Sequence, residues 1–326
     1  MTAPTLRLTI SIINYRTGDL TLNCVASVLA DMARTPKLSA RIVVVDNMSN
    51  DGSAEQIEAW IASQSPAVPV DLVRAPSNSG FSGGHNIGMQ HAPAQYYLVL
   101  NSDAELVPGF LALMLDAADA QPQAGFLAPK LVGEDGGTQV SCFRFATPCS
   151  EFIRSARTGI ITKALRRYDV SLGADPDPSR IQWASFACIL LRHKMVSQIG
   201  PMDEGYFLYF EDAEYCLRAQ RAGWRVGYVP QARAVHFRGG SGPVKSLASA
   251  GKRMPAYFYA SRTRFLTQAH GRLGLWAANL AWVAGRGVAQ LRRLAGKPVN
   301  RLSKSEARDI WTNVTKPLGP RRAPGE

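Results

Sequence analysis

Two short acidic stretches in this 326-residue sequence combine residue types that can do chemistry. In YFLYFEDAEYCLR (Tyr206–Arg218), Glu211, Asp212 and Glu214 follow directly on Tyr206, Phe207, Tyr209 and Phe210. A carboxylate held beside apolar rings has its charged form disfavoured, which poises it to take up a proton as a general base. Asp212 is the candidate. Helix capping accounts for Glu214, four residues ahead of Arg218, and extends to Glu211. In LNSDAEL (Leu100–Leu106), Asp103 and Glu105 form a D-x-E pair at the end of an apolar run. Hard cations such as Mg2+ or Mn2+ take one or two carboxylates together with phosphate oxygens. Glu105 is equally explained as an acid ahead of the helix expected after Pro108, but the strand-end position of Asp103 is not. His236, in ARAVHFRGG, gains interest only if it meets Asp103.

Two further stretches are rich in ligand-type groups. VVVDNMSNDGS (Val43–Ser53) places Asp46, Asn47 and Ser49 after an apolar run. Asp51, Gly52 and Ser53 read as a turn and helix cap. Asp46 does not, because a carboxylate at the tip of an apolar strand is costly unless something pairs with it. NSGFSGGHNIGM (Asn78–Met89) carries four glycines and reads as a loop, either plain or built for close approach of a phosphate. It fits neither the dinucleotide fingerprint nor a Walker loop.

The elements that must position these residues alternate along the chain. RLTISII (Arg7–Ile13), RIVVVDN (Arg41–Asn47), VDLVRA (Val70–Ala75) and YYLVLNS (Tyr96–Ser102) read as strands. Pro108 with the following GFLALMLDAADA reads as a helix with proline in its first turn. Strand–helix alternation implies a mostly parallel sheet covered by helices on both faces, with ligands beyond the carboxyl ends of the strands. Asn14 and Tyr15, Asp46 and Asn47, and Asn101 to Glu105 all fall at such ends. WASFACILLR (Trp183–Arg192) and RVGYVP (Arg225–Pro230) add strands, residues 141–180 stay unassigned, and helices including Leu275–Gly285 are expected beyond Lys252.

Composition sets the outer limits. Hydrophobic content of 46% with 19% charged residues describes a globular chain, and no apolar run is long enough to cross a bilayer. The N-terminus lacks a basic region ahead of its apolar run, so no secretory signal is expected. Five scattered cysteines without a C-x-x-C pair argue against a zinc cluster or disulfide framework and suit a reducing cytoplasm. The 22 basic and 22 acidic residues up to Ala250 cancel, so the 15 basic and 3 acidic residues from Gly251 onward carry the whole net charge of +12. Such a segment suits a polyanion, and without a recognition module an anionic membrane surface is favoured over nucleic acid.

In this order IINY, VVVDNMSNDGS, NSGFSGGHNIG, LNSDAEL, PMDEGYFLYFEDAEYCLRAQRAGW and VPQARAVHF resemble the family 2 glycosyltransferases of GT-A fold, over about Leu8–Ser241. The pattern is most similar to rhamnosyltransferase-like members that build bacterial surface polysaccharides, which carry a segment like YFYASRTRFL (Tyr257–Leu266). The resemblance implies an α/β fold, a Rossmann-type mostly parallel sheet with helices on both faces, plus a C-terminal helical extension. The catalytic domain would be 1–250, with a nucleotide-sugar half at about 1–130 and an acceptor half at about 131–250, followed by a basic extension at 251–326.

The implied activity is inverting transfer of a sugar, with a family leaning to dTDP-rhamnose, onto a lipid-linked or polysaccharide hydroxyl. The rival is a non-catalytic partner protein on the same fold. Asp46 would hold the nucleotide base. Asn14, Tyr15, Asn47, Ser49, Asn78, Gly80, Phe81, Gly84, Asn86, Asn101 and Ser102 would line the donor side with Asp103. Asp103, Glu105 and His236 would hold Mg2+ or Mn2+, and Asp212, paired with Glu211, would be the base. Trp183, Tyr209 and Arg262 would meet the acceptor, a saccharide or polyprenyl-diphosphate-linked saccharide. The enzyme would work in the cytoplasm, peripheral to the membrane. Two departures stand out: D-A-E replaces D-x-D, and Phe186 and Ala187 stand where relatives often have glycine.

Overall fold

The computed structural model describes residues 5–237, 244–297 and 303–324; positions 238–241, the end of the resembling stretch, lie outside the described residues. The chain runs β1 (Leu6–Asn14), α1 (Gly18–Ala33), β2 (Ala40–Asp46), α2 (Ser53–Ser63), β3 (Val70–Arg74), α3 (Gly80–His91) and β4 (Ala94–Asn101). Next come β5 (Ala104–Leu106), α4 (Phe110–Ala120), β6 (Ala124–Val132), β7 (Cys142–Phe143), α5 (Pro148–Ala156), α6 (Gly159–Ala164) and β8 (Trp183–Ala184). Then follow β9 (Cys188–Arg192), α7 (His193–Ile199), α8 (Glu211–Arg221), β10 (Arg225–His236), α9 (Val244–Ser249), α10 (Ala256–Leu294) and α11 (Glu306–Asp309).

Compactness divides the chain into two units: Met1–Ser141 with Ala184–Glu204 and Arg218–Ser241, and Cys142–Trp183 with Gly205–Leu217 and Gly242–Glu326. This differs from the expected cut near residue 250. The basic C-terminal segment does not stand alone but shares its unit with residues 142–183 and 205–217.

The first unit is built on an eight-stranded sheet in the order β3-β2-β1-β4-β9-β6-β10-β5. β1 to β4 are parallel, whereas β9 runs antiparallel to β4 and β6, and β5 antiparallel to β10. WASFACILLR is therefore two strands, not one, separated at Ser185–Ala187. Leu8, Ile10, Ile12, Ile42, Val44 and Leu98 cluster with residues of α1, α2 and α4, while Val43 and Val45 pack with Ala75 and Ala92. Both faces are covered, which is why these strands read as near-continuous apolar runs.

The glycine-rich stretch is a helix, α3, rather than a loop. A Cβ at Gly84 would meet Ile13 Cδ1 at 2.7 Å, and one at Gly88 would meet Ser11 Oγ at 2.3 Å. Glycine here permits backbone to lie against β1, and that close fit outweighs its poor helix propensity. Pro108 sits ahead of α4, whose cap residue Gly109 has φ +88°. The buried Asp31 carboxylate of α1 accepts from the Gly109 and Leu111 amides, satisfying donors at the start of α4.

In the second unit, residues 141–180 resolve into β7, α5, α6 and two short 3-10 turns. Thr147 and Ser150 cap α5 reciprocally, with Pro148 in its first turn. α10 breaks at Gly271 (φ 72°, ψ 179°), and Gly285 on its later half leaves room for α5: a Cβ there would meet Phe152 O at 2.5 Å. Arg262 is buried, with Nη1 donating to Asn279 Oδ1 at 2.8 Å and Nη2 to Glu151 Oε2 at 2.7 Å. Arg154 bridges Glu151 and Glu306, tying in α11. Burial alone would raise the Glu151 carboxyl, but Arg154 and Arg262 hold it down to about 2.

Adding a side chain at the α3–β1 contact should test this packing. Gly88→Val is expected to lower stability by about 1–3 kcal/mol, as overpacking does, read by thermal or urea unfolding. Gly159→Ala, at a glycine with nothing within 4 Å of its Cβ position, should be neutral or slightly stabilising.

Candidate functional site

Parallel pairing aligns the expected donor residues at one edge of the first unit. Asn14 is in register with Asp46 across β1 and β2, and Ile13 with Asn101 across β1 and β4. Asn14 is fully buried and works as a hub. Its Nδ2 faces Asp46 Oδ1 at 2.8 Å, Ser53 Oγ at 2.8 Å and Ser49 Oγ at 3.1 Å. Its Oδ1 accepts from the Thr17 amide and from the hydroxyls of Thr17 and Thr21. Asp46 also accepts from the Ser49 hydroxyl and amide. The costly strand-tip carboxylate is thus paired internally, and what remains of it faces the loop.

Asn47 shapes the next segment. Its Nδ2 donates to Asn78 Oδ1 and Gly80 O, and its Oδ1 accepts from the amide and hydroxyl of Ser79. Tyr15 is exposed, with the Arg16 guanidinium 5.3 Å from its ring centroid. Ser102 Oγ lies 3.0 Å from Thr17 Oγ1, and the Asn101 amide donates to Ala187 O. Phe81 meets the buried His85 ring edge-on, at 4.5 Å between centroids, and burial pushes the His85 imidazole down to about 3. Asn86 departs from its expected donor role. Its Nδ2 donates to Met202 O and Glu204 Oε1 and its Oδ1 accepts from the Met202 amide, so it pins residues 202–204 to α3.

Asp103 is the most exposed to electrostatic need. Both its carboxylate oxygens are out of water without a hydrogen-bond partner, and Nε2 of His236 stands 3.4 Å from Oδ1. Antiparallel pairing of β5 with β10 sets Ala104 opposite His236 and so creates this juxtaposition. Gln139 fixes the imidazole: its Nε2 donates to His236 O at 2.8 Å, leaving Oε1, 3.2 Å from Nδ1, to accept the Nδ1 proton. Nε2, the other ring nitrogen, then faces a buried carboxylate. An unbonded buried carboxylate beside a ring nitrogen is a pair that fits a divalent metal. Among the described residues no three His, Cys, Asp or Glu side chains form a metal set, so Glu105 does not complete one with Asp103 and His236. Asp103 and Glu105 do share an effect on buried Cys24, whose thiol is raised by burial first, then by Cys188 and by these two acids.

The acidic pair belongs to the second unit. Tyr209 and Phe210, just before α8, both adopt left-handed backbone (φ 71° and 69°), which is uncommon outside glycine. Aromatic packing holds them there: Tyr209 stacks on Tyr257 at 6.4 Å and meets Phe258 edge-on, and Phe210 packs on Phe258 and Phe265. Glu211 is buried and its Oε2 has no hydrogen-bond partner. Burial first, and then the charge of Asp212, raise its carboxyl well above the ordinary glutamate value. The acid that meets the expectation of a ring-flanked, proton-favouring carboxyl is therefore Glu211. Asp212 is only half-buried, with Oδ1 accepting from the Ala213 amide at 2.8 Å.

The expected acceptor residues are committed to packing. Trp183 stacks on Phe143 at 4.3 Å and donates from Nε1 to Arg144 O, and Tyr209 serves the strained turn. Arg262 departs from its expected role, because both of its Nη groups are consumed by Glu151 and Asn279. Sequence reasoning missed Gln139, Thr17, Thr21 and Ser53. Ser53 and the threonines were visible as cap-type residues beside Asn14. Gln139 gave no local signal, since only the pairing of its segment with β6 and of β6 with β10 brings it to His236.

The profile of "Glycosyl transferase family 2" matches residues 9–168. The N-acetylglucosaminyl-diphospho-decaprenol L-rhamnosyltransferase of Mycobacterium tuberculosis is 28% identical over 287 residues, covering 81% of this chain and 85% of that protein. The low-salt glycan biosynthesis hexosyltransferase Agl10 of Haloferax volcanii is 22% identical over 60% of this chain and 59% of its own length. Among solved structures, GalNAc-T7 with UDP, GalNAc and Mn2+ aligns with a TM-score of 0.59 at 16% identity, covering 98% of this chain and 60% of that one. The mannosyltransferase PcManGT of Pyrobaculum calidifontis, with GDP-Man and Mn2+, aligns with a TM-score of 0.54 at 15% identity, covering 98% and 84%. With its curled, mostly parallel sheet and these relatives, the chain is a glycosyltransferase of GT-A fold, similar over residues 9–168 to family 2 and over most of its length to rhamnosyltransferases.

Proposed function

We propose that the protein transfers a sugar, with inversion, from a nucleotide diphosphate donor to a hydroxyl of a polyprenyl-diphosphate-linked saccharide. The observation that carries this reading is the buried, unbonded Asp103 carboxylate opposite His236 Nε2 at the carboxyl edge of the sheet. L-rhamnose from dTDP-rhamnose is the donor proposed first, because the Mycobacterium tuberculosis relative bears that sugar and a diphospho-polyprenol acceptor in its name. Asp103 and His236 would hold a divalent cation, which when bound offsets charge on the departing diphosphate. Asp46 would receive the nucleotide base, held in place by Asn14 and Ser49, and the Asn47-shaped loop would border it.

Glu211 and Asp212 divide the work of a base. Neighbouring carboxyls in different surroundings are pushed to different proton affinities. Glu211, buried and raised, keeps its proton more readily, and Asp212 would act as the ionised partner. Asp212 would remove the acceptor hydroxyl proton as that oxygen attacks the anomeric carbon. An acceptor of that class would put the work at a membrane, on the cytoplasmic side where nucleotide sugars are made available, with the basic C-terminal segment toward an anionic leaflet.

Asp212→Asn should cut turnover by about 10²- to 10⁴-fold, the usual worth of a general base, while donor-induced thermal stabilisation persists. Turnover near wild type removes Asp212 from the role. Asp103→Ala should abolish Mn2+-dependent donor binding in calorimetry. Gln139→Leu, acting through His236, should weaken it about 10- to 100-fold as loss of an outer-shell partner does.

The raised Glu211 carboxyl has a definite pH consequence. Its folded-state proton affinity exceeds the unfolded one, so its contribution to stability is full below the ordinary glutamate value of 4.5 and is lost as pH rises toward its folded value. Glu211→Gln should therefore gain stability relative to wild type as pH rises above 4.5, measured by urea unfolding across pH. A flat difference would mean that Glu211 is not raised.

A further inference from the structure

After the break at Gly271, α10 continues as a separate rod, about 33 Å long at about 1.5 Å per residue. One side of it is core: Leu275, Ala278, Asn279, Trp282, Gly285 and Ala289 are buried. The side turned outward is where a surface helix normally carries its charges. Here it carries none. Leu273 is 86% exposed, Leu280 58%, Leu291 68% and Leu294 84%, with Trp276 and Val283 near half. Their spacing, together with Ala277, Ala284 and Gly287, keeps them on one arc, and Gln290 and Arg272 share one of its rims.

Arginines border that arc. Arg272, Arg286, Arg292 and Arg293 lie to its sides, and no acidic residue occurs anywhere between Glu214 and Glu306. Arg272 and Arg293 are exposed, while Arg286 and Arg292 are half-buried, and Arg286 is pressed by burial and by the neighbouring charge of Arg157. We propose that the outward face of Arg272–Leu294 is a membrane seat, lying in the headgroup layer of an anionic leaflet with Trp276 and the four leucines inserted and the arginines on lipid phosphates. This deepens the membrane reading proposed above, yet it can be tested without turnover.

Two features select this occupant. A second copy of the chain docked face to face would oppose arginine to arginine with no acid on the helix to relieve them, whereas lipid phosphates complement the border. The face lies on the bilayer and does not span it, because among the described residues no helix is long and apolar enough to cross. A tryptophan with an apolar body and a polar N–H suits the headgroup level.

The test is co-sedimentation of the full chain with vesicles of phosphatidylcholine alone or containing about 30% phosphatidylglycerol, beside sedimentation velocity without lipid. Wild type should pellet with the anionic vesicles at low salt and lose most binding in neutral vesicles or high salt, the salt loss reflecting screening of the arginines. Leu280→Ser with Leu291→Ser and Leu294→Ser, all exposed, should reduce partitioning at least tenfold, with an unchanged melting temperature and unchanged turnover on a short water-soluble acceptor. Equal binding by wild type and the triple variant overturns the seat, as does a wild type that binds neither vesicle. A lipid-free dimer that the variant dissolves, without vesicle binding, assigns the face to a second copy and likewise overturns it. Loss of turnover in Asp212→Asn with vesicle binding intact separates failure here from failure of the catalytic reading.

Discussion

The Asn14 side chain is the point on which the donor edge depends. A buried primary amide must place two hydrogens and two lone pairs or pay for their desolvation. Asn14 meets that demand by joining the end of β1 to the carboxylate that ends β2, the first residue of α2 and the hydroxyls that open α1. Because one group satisfies all of these, the ends of three elements cannot shift independently. Networks of this kind specify one arrangement, since partial satisfaction costs more than none.

A second constraint acts farther along the same carboxyl edge, where β10 meets β5. Asp103 and His236 come from β-segments 133 positions apart in sequence, and neither makes chemical sense alone. Antiparallel pairing of a three-residue strand with the end of β10 brings them together, and Gln139 then decides which imidazole nitrogen looks at the acid. The cation proposed above would use that pairing of a buried acid with a ring nitrogen.

Much of this was legible in the sequence, unevenly. The four parallel strands announced themselves because each is buried on both faces and reads as an apolar run, and the rule that ligands gather at strand ends pointed to Asn14, Asp46 and Asp103. α3 was not legible, because glycine argues against a helix until β1 is known to lie against it. Arg262 and Asn86 looked like ligand groups by type, but their partners, Glu151, Asn279, Met202 and Glu204, lie 17 to 118 positions away. The raised acid fell one residue from where the aromatic run suggested, since the turn through Tyr209 and Phe210 decides which of two adjacent carboxyls faces inward. Long-range partnership was the missing information in each case.

Non-glycine residues in left-handed backbone recur beside the strand ends: Arg16 after β1, then Met48 and Asn50 after β2. Each such residue costs about 1–3 kcal/mol against the relaxed chain and persists only where its surroundings dictate it. The loops around Asp46 are therefore bent into their final form when the domain folds. The nucleotide proposed to bind there would meet a cradle already set, and little of its affinity would be spent on ordering the protein.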